Sequence, residues 1–203
     1  MIYKEILMKI VGLITEYNPF HNGHLYHIEE SKRLTGADMA VVVMSGDYVQ
    51  RGTPAIMPKR LRAEMALKCG AAAVFELPVC YAAGSAEYFA LGAVSLLQKL
   101  GIVDFLCFGS ECNNLQALQQ AADILLEEPA EYQTVLKHHL REGKSFPSAR
   151  QEALAEYTES EGISFLLNDP NNILGIEYLK ALKKLNCSIT PFTIQRRGAH
   201  YHD

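Results

Sequence analysis

The sequence predicts an α/β fold, a doubly wound parallel sheet of Rossmann-like kind with a helical extension. Three observations carry this prediction. Short, nearly uninterrupted apolar runs alternate with helical patterns between residues 10 and 108, the signature of strands buried on both faces. Each run closes in a turn signal, and the helical connections imply right-handed crossovers. From residue 114 onward the runs give way to consecutive helices with short polar links.

In chain order, Ile10-Val11-Gly12-Leu13-Ile14 is the first strand, ended by Asn18-Pro19. Asn22-Gly23 then precedes a helical pattern carrying Leu25, Ile28 and Leu34. A second strand over 39–44 closes in Ser45-Gly46-Asp47 and leads to a helix over about 58–69. A third strand, 72–77, ends at Pro78, a long apolar helix spans 85–100, and a fourth strand, 103–108, ends at Gly109. Helices are expected over 115–126, 132–141 and 147–157. Pro170-Asn171-Asn172 opens another helix through Leu185, with Asn171 or Asn172 as its cap, and 188–195 alternates like a late strand. The expected organisation is a nucleotide-binding core over 8–113, a helical subdomain over 114–170, and a helix and strand over 171–203 that return to the site. Met8-Lys9-Ile10 makes a natural start, so residues 1–7 are expected to be an extension without a structural role.

Composition narrows the class of protein. With 203 residues, 49% of them hydrophobic, the chain can bury a substantial core. Its 19 basic and 23 acidic residues leave a formal charge of −4 without a long basic run, so an RNA contact is expected to be local or to lie outside this chain. The five cysteines form no C-x-x-C pair and mostly fall in apolar stretches, which predicts a reducing compartment and no structural metal. No long apolar run opens the chain, and none approaches the roughly 18 residues of a membrane span. A cytoplasmic location without a membrane partner is the expectation.

The chemistry concentrates at His21-Asn22-Gly23-His24, placed where the first strand gives way to a helix. In an open α/β sheet that position lies outside the carboxyl ends of the strands, and a helix starting there aims free N–H groups and a positive dipole end at a ligand. Gly23 lets the backbone approach a phosphate, while His21 and His24 can donate hydrogen bonds to its oxygens. Donors fixed where charge grows during attack on an α-phosphorus stabilise the transition state more than the ground state. Histidines near a turn are otherwise surface residues or helix-cap partners; the position after the first strand favours the phosphate role. Neither G-x-x-x-x-G-K-[ST] nor a G-x-G-x-x-G after the first strand is present, which argues against P-loop and dinucleotide-redox chemistry.

The likeness extends beyond this tetrad. Gly12-Leu13-Ile14-Thr15-Glu16-Tyr17-Asn18-Pro19-Phe20-His21-Asn22-Gly23-His24 resembles the bacterial tRNA(Met) cytidine acetate ligase family, a branch of the H-x-G-H nucleotidyltransferase superfamily. Met44-Ser45-Gly46-Asp47-Tyr48-Val49-Gln50-Arg51-Gly52-Thr53-Pro54-Ala55 is similar to a second block of that family, with Asp47 in place of the expected Asn. Glu76-Leu77-Pro78 and Gly84-Ser85-Ala86-Glu87-Tyr88-Phe89-Ala90 are similar to two more.

The resemblance implies an enzyme that activates acetate with ATP as acetyl-adenylate and acetylates the wobble cytidine of elongator tRNA(Met). It implies ATP contacts from Ile14, Thr15, Glu16, Tyr17, Asn18, Pro19, Phe20, His21, Asn22, Gly23, His24, Leu25, Tyr26 and His27, and from Gly109, Asn172 and Arg197. His21 and His24 would be the catalytic pair, Mg²⁺ would ride on the triphosphate, and no protein metal site is expected. Arg51, Lys59 and Arg60 are further candidates to neutralise phosphate. The family pattern continues into a serine-rich, arginine-containing loop that this sequence does not contain, so a truncated chain or a short relative is expected. Two alternatives stand beside this reading: a cofactor-type adenylyltransferase of the nicotinamide or pantetheine-phosphate class, and a non-catalytic ATP-binding module.

Overall fold

The computed structural model describes residues 8–196. Strands β1 (Ile10–Thr15), β2 (Met39–Ser45), β3 (Ala73–Leu77), β4 (Phe105–Ser110) and β5 (Thr190–Gln195) form one parallel sheet in the order β3-β2-β1-β4-β5. The chain builds outward from β1 to β3, then returns to add β4 and β5 on the other side. Helices α1 (Asn22–Thr35), α2 (Lys59–Lys68), α3 (Val79–Ala82) and α4 (Ala86–Leu100) fall between the first four strands, and α5 (Leu115–Glu127), α6 (Ala130–Arg141), α7 (Phe146–Thr158), α8 (Glu161–Ser164) and α9 (Pro170–Lys184) precede β5.

Strand geometry explains the continuous apolar runs. Successive side chains point to opposite faces, and both faces are covered. Val11 and Leu13 join Ala40, Val42 and Met44 under Ile28 of α1 and Ala66 of α2. Ile10 and Ile14 join Val41 and Val43 under Phe89, Ala93 and Leu97 of α4 and Ile176 and Leu179 of α9. Gly12 has a steric reason: a Cβ there would stand 2.9 Å from both Leu97 methyls. The extension does not build a separate core, because Leu118, Leu125, Tyr132, Ala153 and Leu154 continue the α4–α9 cluster.

Several boundaries differ from the sequence reading. β4 begins and ends two residues later than the apolar run, because Gly109 and Ser110 pair with Ile194 and Gln195 of β5. Asp104 instead accepts the Ile10 N–H at 2.8 Å through its carboxylate. Neither Asn171 nor Asn172 caps α9: both lie in its first turn, after Asp169 at the cap position. The single turns α3 and α8, and the 3₁₀ segments Gln50–Gly52 and Phe165–Asn168, are too short to show a period. The expectation for residues 1–7 lies outside the described residues.

Candidate active site

The site begins as a gap in the sheet. β1 and β4 pair only through Val11–Phe105 and Gly12–Leu106, although β1 continues to Thr15 and β4 to Ser110. His27 of α1 lies across this opening with its Nε2 3.3 Å from the Cys107 carbonyl. A carbonyl can only accept, so that nitrogen carries the proton. The opening coincides with the reversal of strand order, where α/β sheets place their ligands.

The H-x-G-H tetrad is itself the first turn of α1. His21 is the N-cap in extended conformation, and its Nδ1 accepts the Gly23 N–H at 3.1 Å. His24 reciprocates, its Nδ1 accepting the His21 N–H at 3.2 Å, and the two rings stack with centroids 3.7 Å apart. Two backbone donors thus occupy both Nδ1 atoms and leave Nε2 as the donor of each ring. Gly23 is required by this turn, since a Cβ would stand 2.9 Å from Cε1 and 3.0 Å from Nδ1 of His21.

Aromatic packing encloses His24. Tyr17, held in the left-handed backbone region at φ 49°, meets the His24 ring edge-on at 4.8 Å, and Phe20 lies 5.5 Å from it. Burial, helped by the electrostatic influence of the neighbouring His21, His27 and Arg196, holds the His24 pKa down to about 3. Burial also lowers His27 to about 4, with Arg196 assisting and the Cys107 hydrogen bond opposing. Both rings are therefore neutral donors near pH 7.

The remaining sequence candidates occupy different depths. Ile14 and Thr15 are buried in β1, and Glu16 is half-buried with Oε1 accepting the Gln50 N–H at 2.6 Å. Burial raises the Glu16 pKa. Asn18 Oδ1 accepts the Ile56 N–H at 2.7 Å, Pro19 and Asn22 are exposed, and Leu25 and Tyr26 are half-buried along α1. Gly109 lies in β4 beneath the aliphatic stem of Arg196. Asn172 is 1% exposed and works as a clamp: its Oδ1 accepts from the Glu111 and Cys112 N–H groups at 3.0 and 3.2 Å. Its own N–H donates to Glu111 Oε2 at 3.1 Å. Arg197 lies outside the described residues.

A buried arginine, absent from the sequence reading, joins the loops around the site. Arg62 of α2 donates from Nε to Met57 O at 3.0 Å and from its terminal nitrogens to the Glu16 and Gly46 carbonyls. It thereby ties the ends of β1 and β2 together. The available sequence sign was spacing, since Arg62 and Ala66 stand four apart and are the buried pair of α2. Lys59 is committed to Glu76, at 2.6 and 2.8 Å, while Arg51 and Arg60 are exposed. Asp47, the departure from the family block, accepts the Lys59 N–H at 3.1 Å at the start of α2. Among the described residues, no His, Cys, Asp and Glu group is arranged to hold a metal ion, and no helix is long and apolar enough to cross a membrane.

A parallel sheet with a reciprocal histidine cap at its switch point defines a nucleotidyl-transfer scaffold. The chain belongs to the HIGH Nucleotidyl Transferase family, whose profile it matches over residues 8–203. Within that class it is 58% identical to a tRNA(Met) cytidine acetate ligase of Caldanaerobacter subterraneus subsp. tengcongensis, over 96% of this chain and 48% of the relative. It is 55% identical to the enzyme of the same name from Acetivibrio thermocellus, over 96% of this chain and 47% of the relative. It also superposes on Thermotoga maritima TmcAL bound with alpha-thio ATP, with a TM-score of 0.91 and 44% identity, over 97% of this chain and 48% of the other. The chain spans about half the length of the curated relatives it matches.

Proposed function

We propose that this chain supplies the ATP site of a ligase that activates acetate and acetylates the wobble cytidine of elongator tRNA(Met) to N4-acetylcytidine. The observation that carries the reading is the reciprocal cap, which leaves two Nε2–H donors turned away from the backbone at the start of α1. An acetate oxygen attacks the α-phosphorus of ATP, the bond from that phosphorus to the β-bridging oxygen breaks, and pyrophosphate leaves. Negative charge grows on the phosphate oxygens, where His21 and His24 donate and the helix N-terminus adds its field. The cytidine N4 then attacks the acetyl carbonyl, AMP departs, and N4 gives up a proton. Mg²⁺ is carried by the triphosphate and keeps most of its waters, so chelator should abolish turnover and added Mg²⁺ restore it. Five free thiols fit a reducing, cytoplasmic setting.

Names and structures of the relatives support the reading. Acetate-dependent ATP–pyrophosphate exchange by this chain, and by a version of relatives' length, tests it. Exchange that requires acetate is the expected result. Exchange supported instead by nicotinamide mononucleotide or phosphopantetheine would transfer the site to a cofactor-making adenylyltransferase. ATP binding without exchange under any acceptor would mark a non-catalytic module.

A further inference from the structure

Three segments outside the histidine turn come together at one end of the sheet. β1, β2 and β3 run parallel, so the loop after Ser45, the turn after Leu77 and the start of α4 stand at the same end as the H-x-G-H turn. The segment Gln50–Gly52 packs on α3, and its Gln50 N–H reaches Glu16 Oε1 beside the crevice. The rim built by these loops therefore begins where the crevice ends.

This rim presents rings to solvent. Tyr48, Tyr81 and Tyr88 are 50, 37 and 59% exposed, and Ile56 and Val79 lie open in the same loops. The rings are held in place. A Cβ on Gly92 would stand 2.4 Å from Tyr81 Cγ, so that ring rests on the α4 backbone, and Tyr88 is one turn earlier on the same helix face. The Tyr48 loop is fastened by the bridge from Tyr48 to Pro54 and by the Val49 N–H, which donates to Thr53 O at 2.9 Å. Inside it, exposed Arg51 takes the left-handed backbone at φ 67°, which disfavours a residue with a side chain.

Charge selects the occupant. Asp47 and Glu76 face Lys59, 3.8 and 2.6 Å away, and Glu87 faces Lys184 at 3.7 Å. Arg51 and Arg60, both exposed, have no ion-pair or hydrogen-bond partner among the described residues. The unmatched charge of the rim is thus cationic. An apolar partner would need neither arginine, whereas single-stranded RNA uses both features, since its bases stack on aromatic faces and its phosphates meet cations. A duplex keeps its bases stacked on one another and has no face to offer.

We propose that this rim receives an unpaired RNA loop, with Tyr48, Tyr81 and Tyr88 stacking bases and Arg51 and Arg60 meeting the backbone, so that a neighbouring base is led into the crevice. The proposal rests on the RNA-modifying reading above and gives this chain a local RNA contact. With two free cations, that contact is one that salt readily screens.

Fluorescence anisotropy at low salt, with the labelled anticodon stem–loop of elongator tRNA(Met) and with a blunt RNA duplex of equal length, tests it. The stem–loop should bind the tighter. Tyr48→Ala and Tyr88→Ala should each weaken it by about tenfold, the scale of one base stack, while Tyr48→Phe and Tyr88→Phe keep the ring and the affinity. Arg51→Gln should reduce the salt slope by about one phosphate contact. A urea midpoint equal to the parent's separates a lost stack from a lost fold. Alanine variants that bind like the parent, or equal binding of loop and duplex, overturn the proposal. So does self-association of the parent that the alanine variants abolish without RNA binding, which would assign the rim to a second copy. Acetate-dependent exchange is read separately. Exchange without stem–loop binding overturns the rim and leaves the ligase reading standing, whereas stem–loop binding without exchange supports the rim as an RNA surface and removes the ligase reading alone.

Discussion

His24 uses one ring nitrogen to build the helix, so the proposed phosphate role falls to the other nitrogen and the two separate by atom. Replacing it with Ala should lower adenylate formation by on the order of a hundredfold, the cost of one preorganised donor, with a much smaller loss of ATP affinity; pyrophosphate exchange and titration read the two. At position 23 the effect is indirect. Gly23→Ala would push His21 off its cap and misdirect its Nε2–H, reducing exchange by at least tenfold and costing about 1 kcal/mol of helix stability, measurable by urea unfolding. The histidines also set a pH dependence. His24 and His27 titrate near 3 and 4 in the folded chain, below their ordinary value, so between about pH 4 and 6.5 the unfolded chain binds more protons. Their stabilisation is complete above about pH 6.5 and is lost as pH falls through 4 and 3. The Tm of the parent should therefore fall from pH 7 to pH 5, and His24→Gln with His27→Gln should flatten that slope.

Elements matter here through the loops they hold. Arg62 satisfies three carbonyls from two strand ends and the approach to α2, and the Glu16–Gln50 contact fastens the same loops from the other side. Arg62→Met should strand those carbonyls and cost on the order of 3 kcal/mol, seen as a lower urea midpoint. ATP affinity should fall with it, because the β1 loop leads directly into the H-x-G-H turn. Strand and helix order was legible because periodicity reports burial on one or two faces, and long periodic elements average out local exceptions. Single turns carry no period, and the end of β4 was misplaced because partner pairing, rather than apolarity, extends it through Gly109 and Ser110.

On the scale of the whole molecule, a local crevice is combined with a net-acidic surface. Phosphate recognition needs one helix start and one or two cations, whereas a tRNA backbone needs Lys and Arg spread along an extended path. At physiological salt the 203-residue chain should therefore bind ATP more readily than tRNA(Met). Parallel titrations check this, and tRNA binding as tight as that of a version of relatives' length would relocate the RNA surface onto this chain. The sequence by itself determined the alternation of strands and helices, the start of α1 at the paired histidines, and the family blocks, because these are local patterns of type and spacing. Tertiary structure decided which nitrogen of each histidine is free, why position 23 excludes a side chain, that Asn172 clamps α9 to the β4 loop, and that Arg62 and Arg196 reach the site. The histidine geometry turns on side-chain orientation that spacing does not encode, while the Asn172 and Arg62 contacts join residues as many as 61 positions apart, which only the folded chain brings within reach.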